Sequence, residues 1–280
     1  MPVMTAAEAM TAQLKSLPPY LRPKEPGLFE LLLKSAGRLR PDGGLHDARM
    51  AAVIYKLQEF GAGYGDTPPP TAINLPADHA MHLDCSNEWY WLSCHLEAVG
   101  PNGPTRIAVL LDMLRFRLIS KELQKGIGWT DAECQLVWNA VTVAVSDSTG
   151  ARMYRRNTNA QWTKVGGKAR FSKPGEDFFF SCGPDELSGK REVLPLTVKV
   201  DDGDNMKLDL TVRSEMKPDK AYFLQGTDGT TPNPRPGLYY SWPQLEVGGR
   251  ISVGGHTYEA TGRGWIDHQL LASQTPTSDP

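Results

Sequence analysis

The chain has 280 residues, of which 40% are hydrophobic and 22% charged, and its formal net charge at pH 7 is −2. That length suits one sizeable domain with an extension, or two small domains. The basic residues are scattered along the chain, which argues against a nucleic-acid partner. No apolar run approaches the ~20 residues of a membrane-spanning helix, and residues 1–14 lack the apolar core of a signal peptide.

The first part of the chain is predicted to be helical. Thr5 and Glu8 have the spacing of a capping box, and apolar residues recur at helical intervals as far as about Phe60. A stretch rich in glycine and proline follows over 61–70 and is typical of a linker. We therefore predict a helical extension with its linker over 1–65, a β domain over 66–272 and a polar tail over 273–280.

Beyond the linker, short apolar segments alternate with Gly, Pro, Asn and Asp turns, a pattern typical of strands. The predicted strands are, in chain order, Glu88 to Glu97, Arg106 to Arg117, Gln135 to Val145, Phe178 to Ser181, Leu194 to Val200, Lys207 to Arg213 and a meander at the end of the chain. A brief helix is predicted over Ile119 to Lys125. Many short strands at regular spacing favour a mainly β fold, either an antiparallel barrel or a sandwich.

The four cysteines lie far apart and have neither a metal-binding spacing nor the density of a disulfide scaffold. They are Cys85, Cys94, Cys134 and Cys182. We expect each to be a small buried hydrophobic residue. A reduced, cytoplasmic chain is the simplest interpretation.

The most informative pattern lies near the end of the chain. Side chains at i and i+2 of a strand share a face, so Tyr240 is predicted to side with Trp242, and Trp265 with Asp267. The Gly-Gly pairs at 248–249 and 254–255 predict two hairpin turns and therefore a three-stranded meander. The two aromatic pairs are then expected to line one wall around the Asp267 carboxyl group.

Gly262 and Gly264 leave two alternatives for this wall. If they mark a β-bulge, Arg263 turns away from Asp267, and burial favours the neutral form of the carboxyl group. If no bulge occurs, Arg263 shares the Asp267 face and favours the ionised form.

Three segments, in chain order, carry a resemblance to a known family. Residues 75–82 run into Glu88-Trp89-Tyr90-Trp91, residues 137–147 form a strand that ends in Ser-Asp, and Tyr239-Tyr240-Ser241 precedes Trp265-Ile266-Asp267-His268-Gln269. They resemble motifs of the carotenoid 1,2-hydratase family, also described as hydroxyneurosporene synthase or AttH-like. The first segment resembles the family's P-x-D-H-x-x-H and E-W-W-Y signature, and the second resembles its strand ending in Thr-Asp or Ser-Asp. The third resembles its Y-Y-S and W-M-D-H-E motifs. Gln269 stands where the family usually has an acid.

The resemblance implies a lipocalin-like antiparallel barrel or sandwich, here with an N-terminal helical extension. Family members usually continue after the last motif into a second lipocalin-like domain, with the ligand cavity at or near the junction. This chain stops some dozen residues after that motif, which leaves three alternatives: the N-terminal helices replace the missing walls, a partner domain or a homo-oligomer completes the cavity, or the chain is a partial relative. Relatives by resemblance include hydratases of carotenoid or prenyl double bonds and fungal proteins that steer Diels–Alder cyclisation of polyenes.

By resemblance, the acid of this site is Asp267. Hydration of an isolated alkene begins with proton transfer to carbon, and water then captures the tertiary cation. Among aromatic rings a carboxyl group can stay protonated near neutral pH, and Trp242 and Trp265 offer ring faces that attract a cation. Tyr240 is the second predicted catalytic residue and orients the carboxyl group or the incoming water.

The remaining predicted substrate-binding residues are His268, Glu88, Trp91 and His79. One alternative is structural, because aromatic residues in strands are usually core and these histidines and Glu88 also suit hydrogen bonds inside the domain. A metal site formed by His79, His82, Asp84 and Glu88 is a further alternative, although the spacing matches no established metal signature. No metal ion and no organic cofactor is implied.

The function predicted from the sequence is that of a hydratase-like enzyme. It adds water, by acid catalysis, to a carbon–carbon double bond of a hydrophobic isoprenoid or polyketide-like substrate. The alternatives are a cyclase that preorganises a polyene and a non-catalytic carrier of an apolar ligand.

Overall fold

The computed structural model describes Lys15 and residues 73–83, 85, 87–117, 130–162, 168–216, 222–224, 230–231 and 237–271. The predicted N-terminal helices, the brief helix over 119–125 and the polar tail lie outside these residues. From Ile73 onward the described chain is almost entirely antiparallel strand, with short 3₁₀ turns at Ala77–His79 and Ala132–Cys134. The predicted mainly β, antiparallel fold is confirmed. No helix in the described part of the chain is long and apolar enough to cross a membrane.

All the described strands belong to one sheet. They are β1 (Asn87–Gly100), β2 (Gly103–Arg117), β3 (Gln135–Asp147), β4 (Gly150–Trp162), β5 (Ala169–Phe171), β6 (Phe179–Cys182), β7 (Asp185–Ser188), β8 (Leu196–Asp201), β9 (Met206–Arg213), β10 (Phe223–Leu224), β11 (Thr230–Thr231), β12 (Gly237–Val253) and β13 (His256–Leu271). Along the sheet the order is β4-β3-β2-β1-β13-β12-β9-β8-β7-β6-β5, and β10 and β11 pair with β12. The long strands β1, β12 and β13, which carry most of the family motifs, are therefore neighbours at its centre.

The sheet has a buried inner face and a more exposed outer face. In β1, Tyr90, Leu92, Cys94 and Leu96 are buried, whereas the residues between them have more exposed surface. The same period of two recurs in β2, β3 and β13. Buried side chains from strands along the whole sheet meet in one hydrophobic core, so the sheet curls around its inner face as a half-barrel. All four cysteines are buried thiols, as predicted.

The two ends of the sheet approach each other through side chains. Asp185 on β7 accepts hydrogen bonds from Asn139 Nδ2 on β3 (2.8 Å), from Arg156 Nη1 on β4 (2.8 Å) and from the Asp201 amide (3.1 Å). Arg156 Nη2 also bonds the same carboxylate, and the Cys182 thiol lies 3.6 Å from the Val137 carbonyl oxygen. This seam, rather than a further strand ladder, joins the edge regions of the described sheet.

The predicted three-stranded meander is wrong, because only one of the two Gly-Gly pairs is a turn. Gly254 and Gly255 form the hairpin between β12 and β13, whereas β12 runs without interruption through Gly248 and Gly249. Gly249 has a φ of 144°, and a Cβ atom there would collide with the Asp209 carbonyl oxygen of β9. This glycine thus permits a close approach of two strands and does not reverse the chain.

The β-bulge lies between Trp242 and Leu245, where Gln244 has a φ of 57°, and not at Gly262 or Gly264. β13 keeps continuous register with β1 past both glycines, and a Cβ atom on Gly262 would collide with the His95 carbonyl oxygen. Of the two alternatives, Arg263 and Asp267 therefore share a face.

The expected single wall around Asp267 is also wrong. Direct partners in a sheet share a face, and Tyr240 pairs with His268 whereas Ser241 pairs with Asp267. Tyr240 and Trp242 therefore face inward with His268, and Trp265 and Asp267 face outward. A difference of one residue in register, which the motifs do not fix, decides the face of every side chain.

The seam generates a stability prediction. Asp185→Asn should lower the free energy of unfolding by about 3–5 kcal/mol, because it leaves the mostly buried Arg156 guanidinium without its counter-charge. Asp177→Asn is the matched control, since Asp177 pairs with Lys190 at 3.4 Å on an exposed surface, where such pairs contribute about 0–1 kcal/mol. Guanidinium denaturation measures both, and equal effects would contradict the role of the seam.

Candidate active site

The inner face carries a polar cluster built around the Tyr240 hydroxyl. This oxygen lies 2.8 Å from His79 Nδ1 and 2.6 Å from His268 Nδ1, and all three side chains are buried. The Tyr90 ring stacks on the His268 ring with 4.1 Å between centroids, and its hydroxyl donates to the His79 carbonyl oxygen at 2.7 Å. The 3₁₀ turn that contains His79 is thereby fastened to β1, β12 and β13.

Glu88 continues this cluster on the other side of His268. Its Oε1 lies 2.9 Å from His268 Nε2 and 2.8 Å from His82 Nδ1, and its Oε2 accepts a hydrogen bond from the His82 amide at 2.8 Å. Arg115 Nη2 lies 3.4 Å from Oε2, and Asp78 Oδ1 lies 3.3 Å from His82 Nε2. Cationic and anionic groups thus alternate around a carboxylate with no exposed surface. We call these residues, with Tyr90, Tyr240, His79 and His268, the inner cluster.

The charges of the inner cluster follow from burial and pairing. Burial alone would raise the pKa of Glu88 and lower that of His82, but the two groups face each other. Their attraction instead holds the pKa of Glu88 below its usual range and raises the pKa of His82 to about 10. Burial lowers the pKa of His268, and it lowers the pKa of His79 to about 3. At neutral pH Glu88 and His82 are therefore charged, whereas His79 and His268 are neutral.

The Tyr240 hydroxyl hydrogen has two acceptors within reach, His268 Nδ1 at 2.6 Å and the Asp78 carbonyl oxygen at 3.1 Å, and the shorter contact fixes one assignment of hydrogens. His268 donates from Nε2 to the Glu88 carboxylate, so its Nδ1 accepts the Tyr240 hydroxyl hydrogen, and the Tyr240 oxygen accepts from His79 Nδ1. The tyrosine hydroxyl is fully engaged in this chain of bonds. The inner cluster therefore acts as a clamp that holds the segment before β1 against the sheet.

The outer face presents a second polar group, centred on Asp267. Its Oδ1 accepts hydrogen bonds from the Ser241 hydroxyl and from Trp265 Nε1, the latter at 2.6 Å. Burial raises the pKa of Tyr239, and the nearby Asp267 carboxylate adds to this rise. The Phe223 ring meets the Trp265 ring edge-on with 5.4 Å between centroids. Asp267 is thus a half-buried hydrogen-bond acceptor among aromatic rings.

A row of outward side chains extends from Asp267 across two further strands. Trp91 on β1 is the direct partner of Asp267, and Asp112 on β2 is the direct partner of Trp91 on its other side. Trp91 is 42% exposed. Burial raises the pKa of Asp112 to about 6, and its Oδ1 is enclosed without a hydrogen-bond partner among the described residues. We call Ser241, Asp267, Trp91 and Asp112 the outer row.

An open hollow of about 480 Å³ lies on the outer face, and none of the four outer-row residues lines it. It is lined by Ser93, His95, Glu215, Met216, Gln244, Arg263, Gly264 and Trp265. Trp265 belongs both to this hollow and to the surroundings of Asp267. The hollow and the Asp267 carboxylate are therefore linked through the Trp265 side chain.

The structure divides the predicted site residues between the two faces. Tyr240, Trp242, His268, Glu88 and His79 lie together on the inner face, and Asp267, Trp265 and Trp91 lie on the outer face. Tyr240 consequently does not orient the Asp267 carboxyl group. Asp84, from the metal alternative, lies outside the described residues, within which no group of three or more ligand side chains is placed to hold a metal ion.

Two residues of these sites are absent from the sequence predictions. Arg115 could be found only from the fold, because its partners His82, Cys85 and Glu88 lie in a different segment, about 30 residues earlier in the chain. Asp112 carried a signal, since it is a single acid inside the apolar run Leu110-Leu111-Asp112-Met113-Leu114. An acid at such a position is desolvated whichever face it occupies.

The fold and the outer face define a lipocalin-like antiparallel half-barrel with a carboxylate on an aromatic surface. Residues 66–279 match the AttH-like family, and the chain belongs to that family. The predicted resemblance is confirmed.

A solved structure shares this fold, and a second aligns with part of the chain. A crystal structure from Nitrosomonas europaea, assigned to AttH, is 18% identical with a TM-score of 0.53, and the alignment covers 75% of this chain and 60% of that one. Kievitone hydratase from Nectria haematococca aligns at 12% identity with a TM-score of 0.46, over 76% of this chain and 56% of that one. This chain therefore spans 60% or less of the length of these two structures. No curated protein matches it.

Adjacent tyrosines on opposite faces provide a test of the clamp. Tyr240→Phe should lower the free energy of unfolding by about 2–3 kcal/mol, because it leaves the Nδ1 atoms of His79 and His268 buried without partners. Tyr239→Phe is the matched control and should cost less than about 1 kcal/mol, since Tyr239 lies on the outer face with part of its surface exposed. Urea denaturation distinguishes the two, and an equal loss would contradict the clamp.

The inner cluster also predicts the pH dependence of stability. His82 has a raised pKa of about 10, so its contribution is complete below pH 6.5 and is lost as the pH rises towards about 10. His79 has a lowered pKa of about 3, so its contribution is complete above pH 6.5 and is lost as the pH falls towards about 3. The free energy of unfolding should therefore peak near pH 6.5.

Denaturation of the His82→Gln variant between about pH 4 and 10 tests whether His82 causes the fall in the free energy of unfolding at alkaline pH. The variant should lose the alkaline decline, which has a slope of up to about 1.4 kcal/mol per pH unit for one proton, and should keep the acid decline. His256→Gln alters an exposed histidine and should follow the wild-type profile. An alkaline decline that persists unchanged in His82→Gln would contradict the assigned charges.

Proposed function

We propose that the protein is a hydratase-like enzyme that adds water to a carbon–carbon double bond of a hydrophobic isoprenoid or polyketide-like substrate. The observation that carries this proposal is the Asp267 carboxylate on the outer face, flanked by Trp91 and by Trp265, which also lines a hollow. Membership of the AttH-like family and the resemblance of the W-I-D-H segment to the hydratase motif support it.

The aromatic rings suit an apolar substrate and a cationic intermediate. Trp91 lies directly across from Asp267, and Trp265 donates to it, so an alkene held beside the carboxylate would contact at least one indole ring. An indole face near a cation contributes about 0.5–2 kcal/mol, with the larger value where water is excluded. This stabilisation would be realised only when the tertiary cation forms, which is the condition for faster reaction.

Hydration requires one proton to be given to carbon and one to be taken from water. Ser241 and Trp265 both donate to Oδ1 of Asp267, so this carboxylate is an acceptor in its cluster. We assign it to the second proton: as a water oxygen bonds to the cationic carbon, Asp267 takes the proton that this water releases. The role differs from the acid predicted from the sequence, since the enclosure with Tyr240 and Trp242 is not formed.

The Asp267→Asn variant tests this role. The probes are geranylgeraniol and prenylated phenols in water enriched in oxygen-18, and mass spectrometry measures incorporation of labelled water. The variant keeps the shape of the side chain but cannot take the proton, and turnover should fall by about 100-fold or more. Asp209→Asn, which alters an exposed acid on β9, should stay within about twofold of wild type. Undiminished turnover by Asp267→Asn would rule out the proposed step.

The exposed Trp91 distinguishes hydration from cyclisation in the same assay. A cyclase that only preorganises a polyene would tolerate Asp267→Asn and lose rate in Trp91→Ala, because shape alone supports its reaction. A carrier would bind the probe and convert none of it with any variant. Both outcomes differ from the loss expected of a hydratase.

A further inference from the structure

Asp112 has no structural role among the described residues. It forms no hydrogen bond or ion pair there, and its enclosed Oδ1 is unpartnered. Leaving a buried acceptor unpaired destabilises a fold by about 1–3 kcal/mol. An acid kept at such a position therefore calls for a reason other than stability.

The surroundings of Asp112 on the outer face are uncharged. Its direct partners are Trp91 on β1 and Ala140 on β3, and its same-face neighbours along β2 are Leu110 and Leu114. In the register of the described strands, the titratable side chain that follows on this row is Asp267, one strand beyond Trp91. Asp112 nevertheless keeps some exposed surface beside Trp91, so it is not sealed from the outer face.

The outer row places the carboxyl groups of Asp112 and Asp267 on strands on either side of Trp91. They flank one exposed indole ring, and neighbouring strands lie about 4.8 Å apart, so their backbones are separated by roughly 10 Å. The two environments also differ, because Asp267 accepts hydrogen bonds from polar donors and Asp112 is surrounded by apolar side chains.

Resting on the hydratase activity proposed above, we propose that Asp112 is a second catalytic residue and the proton donor to the alkene. In this step the π electrons of the double bond take the proton of the Asp112 carboxyl group, which forms a carbon–hydrogen bond and leaves a tertiary cation over Trp91. The water oxygen then bonds to that cation, and its released proton passes to Asp267. Proton exchange with bulk water restores both carboxyl groups, so no oxidant, reductant or cofactor is consumed.

The pKa of Asp112 agrees with this assignment. Burial raises it to about 6, so about half of the carboxyl group is protonated at pH 6 and about a tenth at pH 7. A carboxyl group whose pKa is raised by burial is a recurring proton donor in active sites.

The test compares wild type, Asp112→Asn, Asp112→Glu and the Asp209→Asn control with geranylgeraniol as the probe. Uptake of oxygen-18 measures turnover, quenching of tryptophan fluorescence measures binding, and denaturation verifies folding. Asp112→Asn should lose about 100-fold or more of the turnover and keep its affinity for the probe within about threefold. Asp112→Glu retains an acid and should recover part of the rate.

The pH profile supplies an independent readout. Wild-type turnover should fall as the pH rises through about 6, because the donor must be protonated. The small residual turnover of Asp112→Asn should lack that decline. If the wild type turns over the probe and Asp112→Asn does so at a rate within about threefold of the wild type, the role of Asp112 is overturned and the hydratase activity stands. Absence of turnover in the wild type with every alkene would overturn the hydratase activity, and the role of Asp112 with it.

Discussion

The fold depends on one phenol oxygen held between two imidazole rings. The Tyr240 hydroxyl joins His79, from the segment before β1, to His268 of β13, and Glu88 of β1 completes the chain of hydrogen bonds. These groups are buried, and each is satisfied only when the whole chain of hydrogen bonds forms, because each donor needs the next acceptor. The consequence is that three long central strands and the preceding 3₁₀ turn have one fixed arrangement.

This arrangement fixes the faces of the outer residues as well. His268 must point inward to reach Tyr240 and Glu88, so its neighbour Asp267 must point outward. Two adjacent residues of one motif thus serve opposite faces of the same sheet. The inner one stabilises the fold, and the outer one stands beside Trp91 in the row that ends at Asp112. A rigid strand that is clamped on one face is a suitable support for reacting groups on the other.

Much of this fold follows from local pattern. The alternation in Glu88 to Glu97 and Gln135 to Val145 predicted β1 and β3 to within a few residues at each end, since burial of one face imposes a period of two. Local pattern did not predict whether a Gly-Gly pair forms a turn. Gly248 and Gly249 look like a turn, and only the passage of β9 close to Gly249 explains them. The seam at Asp185 likewise joins residues that are distant in the chain.

The candidate site was partly predictable. The sequence did not predict the pairing register of β12 and β13, which decides the face on which each side chain lies. The motifs identified Asp267, Trp265 and Trp91, but they could not show that Tyr240 and Trp242 face the other way. That choice depends on pairing with β1 and on a bulge at Gln244, to which the motif residues give no local signal. Asp112 stands out in the sequence as a single acid in an apolar run, but its position beside Trp91 follows only from the pairing of β1 with β2.

Photoaffinity labelling tests the central claim, that an apolar substrate meets the outer face of the sheet. The wild-type protein is irradiated with a farnesol derivative that carries a diazirine, and fragmentation mass spectrometry locates the adducts to single residues. The account predicts adducts on Trp91 and Trp265, competed by unmodified farnesol. Competed adducts on Tyr90, Tyr240 or Trp242 would place the ligand inside the curl of the sheet and contradict it.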